Sequence, residues 1–382
     1  MLTEYKRQWS HDAVNILISR QEEVIKNGWG DLKAAHIDTG IRPCAALGNW
    51  VLWNEGLNLL APGELPIPQG ASGRGTPLDH PTPEHGTRTA SVLCGHHPEF
   101  FLGAAPCLPI IPIRAQADVV LDSLDEQDRV GRAILYALNA GCKVITISMG
   151  VPLFLRGAGG LLGQAVDAAY EQGVIVCAAG GQEYGAVCYP GKFYRAIAVG
   201  GFTYDAGKRY PVYYPYGGMS SFIDVWGAAK PIFRANGTKA FDPSSEQYGS
   251  SDGEYAKGDG TSYATPLVAA AAAYWLHYKG VDIRSTYKLG GWQVVEAFRL
   301  LLKCTAVQTA GNGFAEPDGQ NSFVDQRVRV PGKNEQIPRK GMDAPDGWGI
   351  SGRLNVEALL TAKLPDPSLL HYEDRLAINQ HR

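Results

Sequence analysis

The chain has 382 residues, 45% of them hydrophobic and 19% charged, with a formal net charge of −3. That composition describes a globular protein with a sizeable core, in one large α/β domain or two smaller ones. The slightly acidic balance, with no Lys/Arg run longer than two, argues against a general nucleic-acid binder, and no stretch approaches the roughly 18 apolar residues of a membrane-spanning helix. Seven cysteines without a CxxC pair fit neither a disulfide framework nor a zinc site. The N-terminus also lacks the apolar core of a signal peptide, so the expected compartment is reducing and cytoplasmic.

In chain order, residues 11–26 carry Ala13, Ile16, Leu17 and Val24 between charges and read as an amphipathic helix. LKAAHID (32–38) reads as a buried strand that breaks at Thr39-Gly40. Residues 42–84 are rich in Pro and Gly and read as a long loop, with a short helix around 51–60. HGTRTASVLCG from His85 suits a helix with small, closely packed residues. A strand is expected over 109–115, a helix over 129–140, and a β-branched strand, CKVITISMG, over 142–150. The alternation repeats with a helix over 161–172 and strands over 173–181 and 194–202. A helix over 292–303 follows, then a polar surface excursion over 309–346, a turn into a closing helix over 347–360, and a loose polar tail.

This rhythm predicts an α/β fold with a mostly parallel central sheet covered by helices on both faces. It divides the chain into an N-terminal helical segment (1–30) packed on the main domain, the domain itself (31–362) with insertions at 42–84 and 309–346, and a tail (363–382). Parallel sheets place their sites at the carboxyl ends of the strands, where Asp38, Ser148 to Gly150 and Ala178 to Gly181 fall.

The stretch GDGTSYATPLVAAAAAYWLHY (258–278) sets a hydroxyl, Ser262, at the start of a helix that is apolar all round. Pro266 is tolerable there because the first turn has no internal acceptors for its N–H groups. Ser262 taken alone reads as an N-cap. Serine hydrolysis needs an imidazole within reach of the hydroxyl, a carboxylate to fix the imidazole tautomer, and N–H donors facing the oxyanion. His85 opens a helix with Gly86 directly behind it. Asp38 ends a buried strand, where a carboxylate needs hydrogen bonds.

Three strings in order, HIDTG around Asp38, HGTRTA around His85 and GTSYATP around Ser262, resemble the subtilisin-like serine peptidases, whose triad runs Asp, His, Ser. VITISMG, VIVCAAGG, YPGKFYRAIAVGG and GWGISGRLNVEALL extend the resemblance over roughly residues 10 to 360. The resemblance implies a subtilisin-like three-layer sandwich and an endopeptidase working through an acyl-enzyme. In it Ser262 attacks, His85 moves the proton and Asp38 orients the imidazolium. It also implies a primary pocket walled by Ser148, Met149, Gly150, Ala178, Ala179 and Gly180, with Cys188 at its floor. The edge at 144–150 is expected to pair with the substrate backbone. The serine-carboxyl peptidases share the GTS-type serine but use Glu in place of His, which His85 argues against.

The sequence departs from the family at one informative point. The family's oxyanion Asn follows Ala-Ala-Gly, and here Gly181 and then Gln182 stand there. Gln182 reaching in, a backbone N–H turned by Gly181, and a weak enzyme or peptide binder are the competing explanations, with Gln182 the preferred one. Only 37 residues precede Asp38, too few for the folding pro-domain of secreted members. No carboxylate lies in the pocket strings, so an apolar side chain is expected before the scissile bond. Asp118, Asp122, Asp125, Glu126 and Asp128 are either a subsite for basic residues or an acidic helix start. No cofactor is required. Structural calcium is common in the family, but no acidic loop has convincing ligand spacing, so no metal site is assigned. The expected partner is a peptide or protein substrate, with no nucleic acid and no membrane, and the oligomeric state is left open. A non-catalytic peptide-binding relative and a small-substrate esterase or amidase are the alternatives.

Overall fold

The computed structural model describes residues 8–67, 84–99, 101–151, 160–182, 186–204, 211–213, 221–236, 255–287, 291–307, 309–310, 313–314, 340 and 352–380. Helices α1 (Trp9–Ala13) and α2 (Ile18–Asn27) precede strand β1 (Ala34–Asp38) and the short strand β2 (Leu57–Asn58). Helix α3 (His85–Cys94) leads into the small pair β3 (His96–His97) and β4 (Phe101–Leu102), then β5 (Ile110–Arg114), α4 (Leu124–Asn139) and β6 (Val144–Ile147). Next come α5 (Gly160–Glu171), β7 (Ile175–Ala179), β8 (Ile197–Tyr204), β9 (Pro211–Tyr213) and β10 (Val225–Lys230). The antiparallel pair β11 (Ile232–Ala235) and β12 (Tyr255–Gly258) delivers the chain to α6 (Thr261–Thr286) and α7 (Trp292–Thr305). Strands β13 (Thr309–Ala310) and β14 (Gly313–Phe314) and helix α8 (Val356–Thr361) complete the order.

Among the described residues seven strands pair in parallel in the order β2-β5-β1-β6-β7-β8-β10, and β9, β14 and β13 extend the sheet antiparallel beside β8. Both faces are covered, which is why the central strands read as continuous apolar runs. Side chains alternate between the faces. Ala34, Val144, Ile175 and Cys177 join one core, built on α3 and the alanine-rich α6. Ala35, Ile37, Ile145, Ile147, Val176 and Ala178 join the other, under α4 and α5. Helix α6 is buried from Tyr263 through Trp275, as expected for a helix apolar on every side.

The structure corrects the sequence reading at several places. The helix expected over 11–26 is broken at Asn15, which takes φ 55°. A left-handed residue cannot continue a right-handed helix, so two helices result. The helix expected from residue 129 begins earlier, at Leu124. Ser123 accepts a hydrogen bond from Glu126 N at 3.4 Å, and Glu126 Oε2 accepts one from Ser123 N at 3.0 Å. This capping box and the bond from Leu161 N to Asp128 Oδ1 at 3.1 Å give Glu126 and Asp128 structural roles. The short helix expected near 51–60 is a single 3₁₀ turn, Trp53–Glu55, followed by edge strand β2. Val51 and Leu57–Asn58 of the 42–84 segment therefore join the sheet, and 68–83 lie outside the described residues.

The 309–346 stretch was expected at the surface, yet its residues 309–310 and 313–314 extend the sheet and Lys340 is 3% exposed. Burial pushes the Lys340 ammonium down to about 8. It donates to the carbonyls of Gly191, Phe193 and Ala196 at 2.7–2.9 Å and lies 3.1 Å from Asp224 Oδ2. The remainder of 315–351 lies outside the described residues. The tail is not loose either. Buried Arg195 donates to Glu373 O at 2.7 Å and lies against the rings of Tyr170 and Tyr372, and Asp167 accepts from Ala377 N at 2.8 Å. The N-terminal segment is also tied down, by Arg20 to Glu357 at 3.0 Å and Val356 N to Val14 O at 2.9 Å.

Two buried histidines make stability depend on pH. Burial pushes the His11 and His36 imidazoles down to about 4 from 6.5. Between those values the unfolded chain binds more protons than the folded one, so stability falls as pH drops from 6.5 toward 4. Each ring contributes up to roughly 3 kcal/mol of that loss. Urea denaturation at pH 7 and pH 4.5 should show the fall, and His11→Gln should remove about half of it. Equal losses in both proteins would contradict this assignment.

Candidate active site

The site starts at the carboxyl end of β1, where Asp38 is fully buried. Its Oδ1 accepts from Thr39 N at 2.7 Å and bonds His85 Nδ1 at 2.8 Å, and its Oδ2 accepts from Thr89 Oγ1 at 3.1 Å. Burial alone would raise the carboxyl's pKa. The neighbouring imidazole's charge and hydrogen bond, with lesser help from His36 and Thr39 N, hold it below the ordinary value. An ionised carboxylate at Nδ1 fixes a hydrogen there and leaves Nε2 as the free base.

His85 reaches Asp38 because two glycines let the backbones touch. A Cβ on Gly86 would lie 2.2 Å from Gly40 O, so only glycine fits. Gly40 itself turns the chain at φ 100°, and Gly86 N donates to Thr39 Oγ1 at 3.0 Å. Arg42 closes the same junction, with its Nε 2.8 Å from Glu84 Oε1 and its N donating to Thr87 Oγ1 at 2.9 Å. The His85 ring lies 6.5 Å from that of Tyr263, centroid to centroid. The first turn of α6 therefore stands beside the imidazole.

Ser262 sits in that turn, entered through Gly260 at φ 134°. Pro266 has no N–H, so the Ser262 carbonyl lacks the usual helical donor four residues on. Ser148 Oγ supplies one at 2.9 Å, and Ser262 Oγ donates back to Ser148 O at 3.3 Å. This reciprocal pair joins the end of β6 to the start of α6. In this arrangement the Ser262 hydroxyl hydrogen points to Ser148 rather than to His85.

The expected pocket walls lie on adjacent parallel strands, with Ile147 opposite Ala178. Met149, Ala178 and Ala179 are buried. Cys188 N donates to Gly180 O at 3.0 Å and its thiol to Ala179 O at 3.3 Å. A Cβ on Gly150 would lie 2.4 Å from Cys188 Sγ, and one on Gly181 2.9 Å from it. The thiol therefore stands against both Gly150 and Gly181. Gly150 N donates to Val119 O at 3.0 Å and Gly150 O accepts from Leu121 N at 2.9 Å. The 144–150 edge is thus closed at Gly150 by this chain's own 119–121 segment, contrary to the expectation that it receives a substrate there. Gly181 has φ 91°, and its carbonyl accepts from Thr261 Oγ1 at 3.1 Å. A Cβ on Gly260 would stand 3.3 Å from Gln182 Nε2, so the Gln182 carboxamide lies against the turn that carries Ser262.

The model of the subtilase family matches residues 72–349. The chain is a subtilase. The matched span contains His85 and Ser262, and Asp38 precedes it. Thermitase of Thermoactinomyces vulgaris is 32% identical over 193 residues, covering 49% of this chain and 59% of thermitase. Subtilisin Savinase of Lederbergia lenta is 28% identical over 191 residues, 50% of this chain and 61% of that protein. The chain thus spans about three fifths of the length of these relatives. Among solved structures, fervidolysin of Fervidobacterium pennivorans, a keratinolytic enzyme related to subtilisin, has a TM-score of 0.62 at 20% identity, over 95% of this chain and 47% of that one. The patellamide maturation protease PatA has a TM-score of 0.52 at 20% identity, over 86% and 96%. At that identity these likenesses show the fold.

Sequence reasoning about this subtilase missed His36, Thr89 and the part played by Pro266. The signal was there as spacing. His36 and Asp38 are two apart on one strand and share a face, and His85 and Thr89 are four apart on one helix and share a face. Among the described residues, no group of three or more His, Cys, Asp or Glu is placed to hold a metal ion, and no helix is long and apolar enough to cross a membrane.

The Gly86–Gly40 contact gives a direct test. In this subtilase Gly86→Ala sets a methyl against a carbonyl oxygen, and it should cost about 3 kcal/mol or displace α3. Thermal melts check this, and a parental melting temperature would contradict it.

Proposed function

We propose that this subtilase is a serine endopeptidase acting through Asp38, His85 and Ser262. The observation that carries the reading is the 2.8 Å bond between buried Asp38 and His85 Nδ1, beside the helix turn that carries Ser262. In the proposed reaction Ser262 Oγ turns from the Ser148 carbonyl toward His85 Nε2. It loses its proton to that nitrogen and attacks the scissile carbonyl. His85 then passes the proton to the leaving amine, and water hydrolyses the acyl-enzyme by the reverse sequence. Asp38 stays ionised throughout and holds the ring.

The oxyanion is assigned to Ser262 N, in a first helical turn whose N–H groups have no intrahelical acceptors, and to the Gln182 amide. Gln182 stands one residue beyond the family's Asn position. Its packing against Gly260, together with the Thr261–Gly181 bond, supports the substitution. The pocket between 148–150 and 178–180 is assigned to an apolar side chain, because its described lining holds no carboxylate and the Cys188 thiol is already bonded to Ala179 O. No cofactor enters these steps, and the partner is a peptide or protein.

A second reading, a peptide-binding relative with little catalysis, draws on one observation. The Ser262 hydroxyl donates to Ser148 O at 3.3 Å, a bond it must give up to donate to the imidazole. Cleavage-site profiling on a proteome-derived peptide library separates the two. Endopeptidase action predicts internal cuts after apolar residues, lost in Ser262→Ala and slowed about 100-fold in Gln182→Ala. Cuts that persist in Ser262→Ala would sink the triad assignment. Parental rates in Gln182→Ala would sink the oxyanion assignment alone.

A further inference from the structure

Behind Asp38 the polar contacts continue into the core. His36 is 2% exposed, on the face of β1 that it shares with Asp38. Its Nε2 lies 2.9 Å from Thr89 Oγ1, and Thr89 Oγ1 lies 3.1 Å from Asp38 Oδ2. Thr89 is fully buried, one helical turn after His85 on α3. Four groups from one strand and one helix thus form a single line: His36, Thr89, Asp38, His85.

The directions of the hydrogens follow from counting. Burial keeps His36 neutral at pH 7, so the ring carries one hydrogen. Among the described residues its Nδ1 has no hydrogen-bond partner. A buried N–H without an acceptor is rarer than a buried acceptor without a donor, so the hydrogen belongs on Nε2, pointing at Thr89. Thr89 then accepts from His36 and has one hydrogen to give. Its candidate acceptors are Asp38 Oδ2 at 3.1 Å, His85 O at 3.1 Å and Gly86 O at 3.3 Å. A carboxylate attracts that hydrogen more strongly than a peptide carbonyl does, and the donation from His36 polarises the hydroxyl in the same direction.

We propose that Thr89 and His36 are positioning residues for the triad: His36 orients the Thr89 hydroxyl, and Thr89 pins the second oxygen of Asp38. This rests on the serine-peptidase reading. Oδ1 alone, shared between Thr39 N and His85, leaves the carboxylate free to rock about its Cβ–Cγ bond. The bond to Oδ2 removes that freedom and so fixes the plane in which Nδ1 is held. It also draws negative charge away from the His85 side. The titratable groups touching the hydroxyl are His36 and Asp38, with His85 one bond further on.

The test uses hydrolysis of a fluorogenic tetrapeptide amide ending in Phe, with kcat and KM measured across pH, and Ser262→Ala run in parallel. Thr89→Val keeps the side chain's shape and deletes the hydroxyl. It should lower kcat about 10-fold with KM nearly unchanged, and move the acid limb of kcat/KM to higher pH by about half a unit. Thr89→Ser should return kcat to within about threefold of the parent. His36→Val, which leaves Thr89 in place, should lose about threefold with a limb shift of the same sign. If Thr89→Val does not fold, Thr89→Ser and His36→Val carry the test. Variants that lower only the melting temperature, with kcat, KM and the acid limb at parental values, overturn the proposal and leave the peptidase reading standing. A parent no more active than Ser262→Ala overturns both.

Discussion

The site depends on one close approach. Helix α3 begins where β1 ends, and the Gly86 backbone lies so near Gly40 O that a methyl on Gly86 would come within 2.2 Å of it. With the chains pressed together, His85 meets Asp38 at 2.8 Å, and Thr89, one turn on, meets the other carboxylate oxygen. Any side chain at residue 86 would hold the helix off the strand and break both contacts together. The bond from Gly86 N to Thr39 Oγ1 then locks a separation that sterics alone only permit. The carboxylate at the end of this strand is tolerable because Thr39 N, His85 Nδ1 and Thr89 Oγ1 donate to it.

A second constraint joins the nucleophile to the sheet. Pro266 removes an N–H that would otherwise bond the Ser262 carbonyl, and Ser148 at the end of β6 fills that place. One residue type thus converts a helix start into a docking point for the neighbouring strand. Gly150 and Gly181, beside the proposed pocket, are glycines for a related reason, since the Cys188 thiol lies where their side chains would go. Strand ends, helix starts and glycines converge because parallel strands stop on one edge of the sheet.

Much of this was legible in the sequence, and the rest was not for identifiable reasons. Asp38, His85 and Ser262 sit in short strings whose order and glycine flanks carry their own explanation. The parallel sheet followed from strands and helices alternating with apolar runs. By contrast, Ser148 gave no local sign of its bond to Ser262, 114 residues away in sequence. The left-handed turn at Asn15 broke a pattern that periodicity alone would continue. The polar tail looked loose because its anchor, Arg195, lies 178 residues from Glu373 in sequence. His36 and Thr89 were readable in principle from their two- and four-residue spacings to Asp38 and His85, but each resembles an ordinary buried residue until the strand and helix are set side by side.

The central claim is that Asp38 and His85 turn a helix-start hydroxyl into a nucleophile. Intact-mass and peptide-mass spectrometry after exposure to a fluorophosphonate tests it most directly. The account predicts a single adduct on Ser262, absent in Ser262→Ala and formed at least about 1,000-fold more slowly in His85→Ala. An unlabelled parent, or an adduct that survives Ser262→Ala, would contradict it.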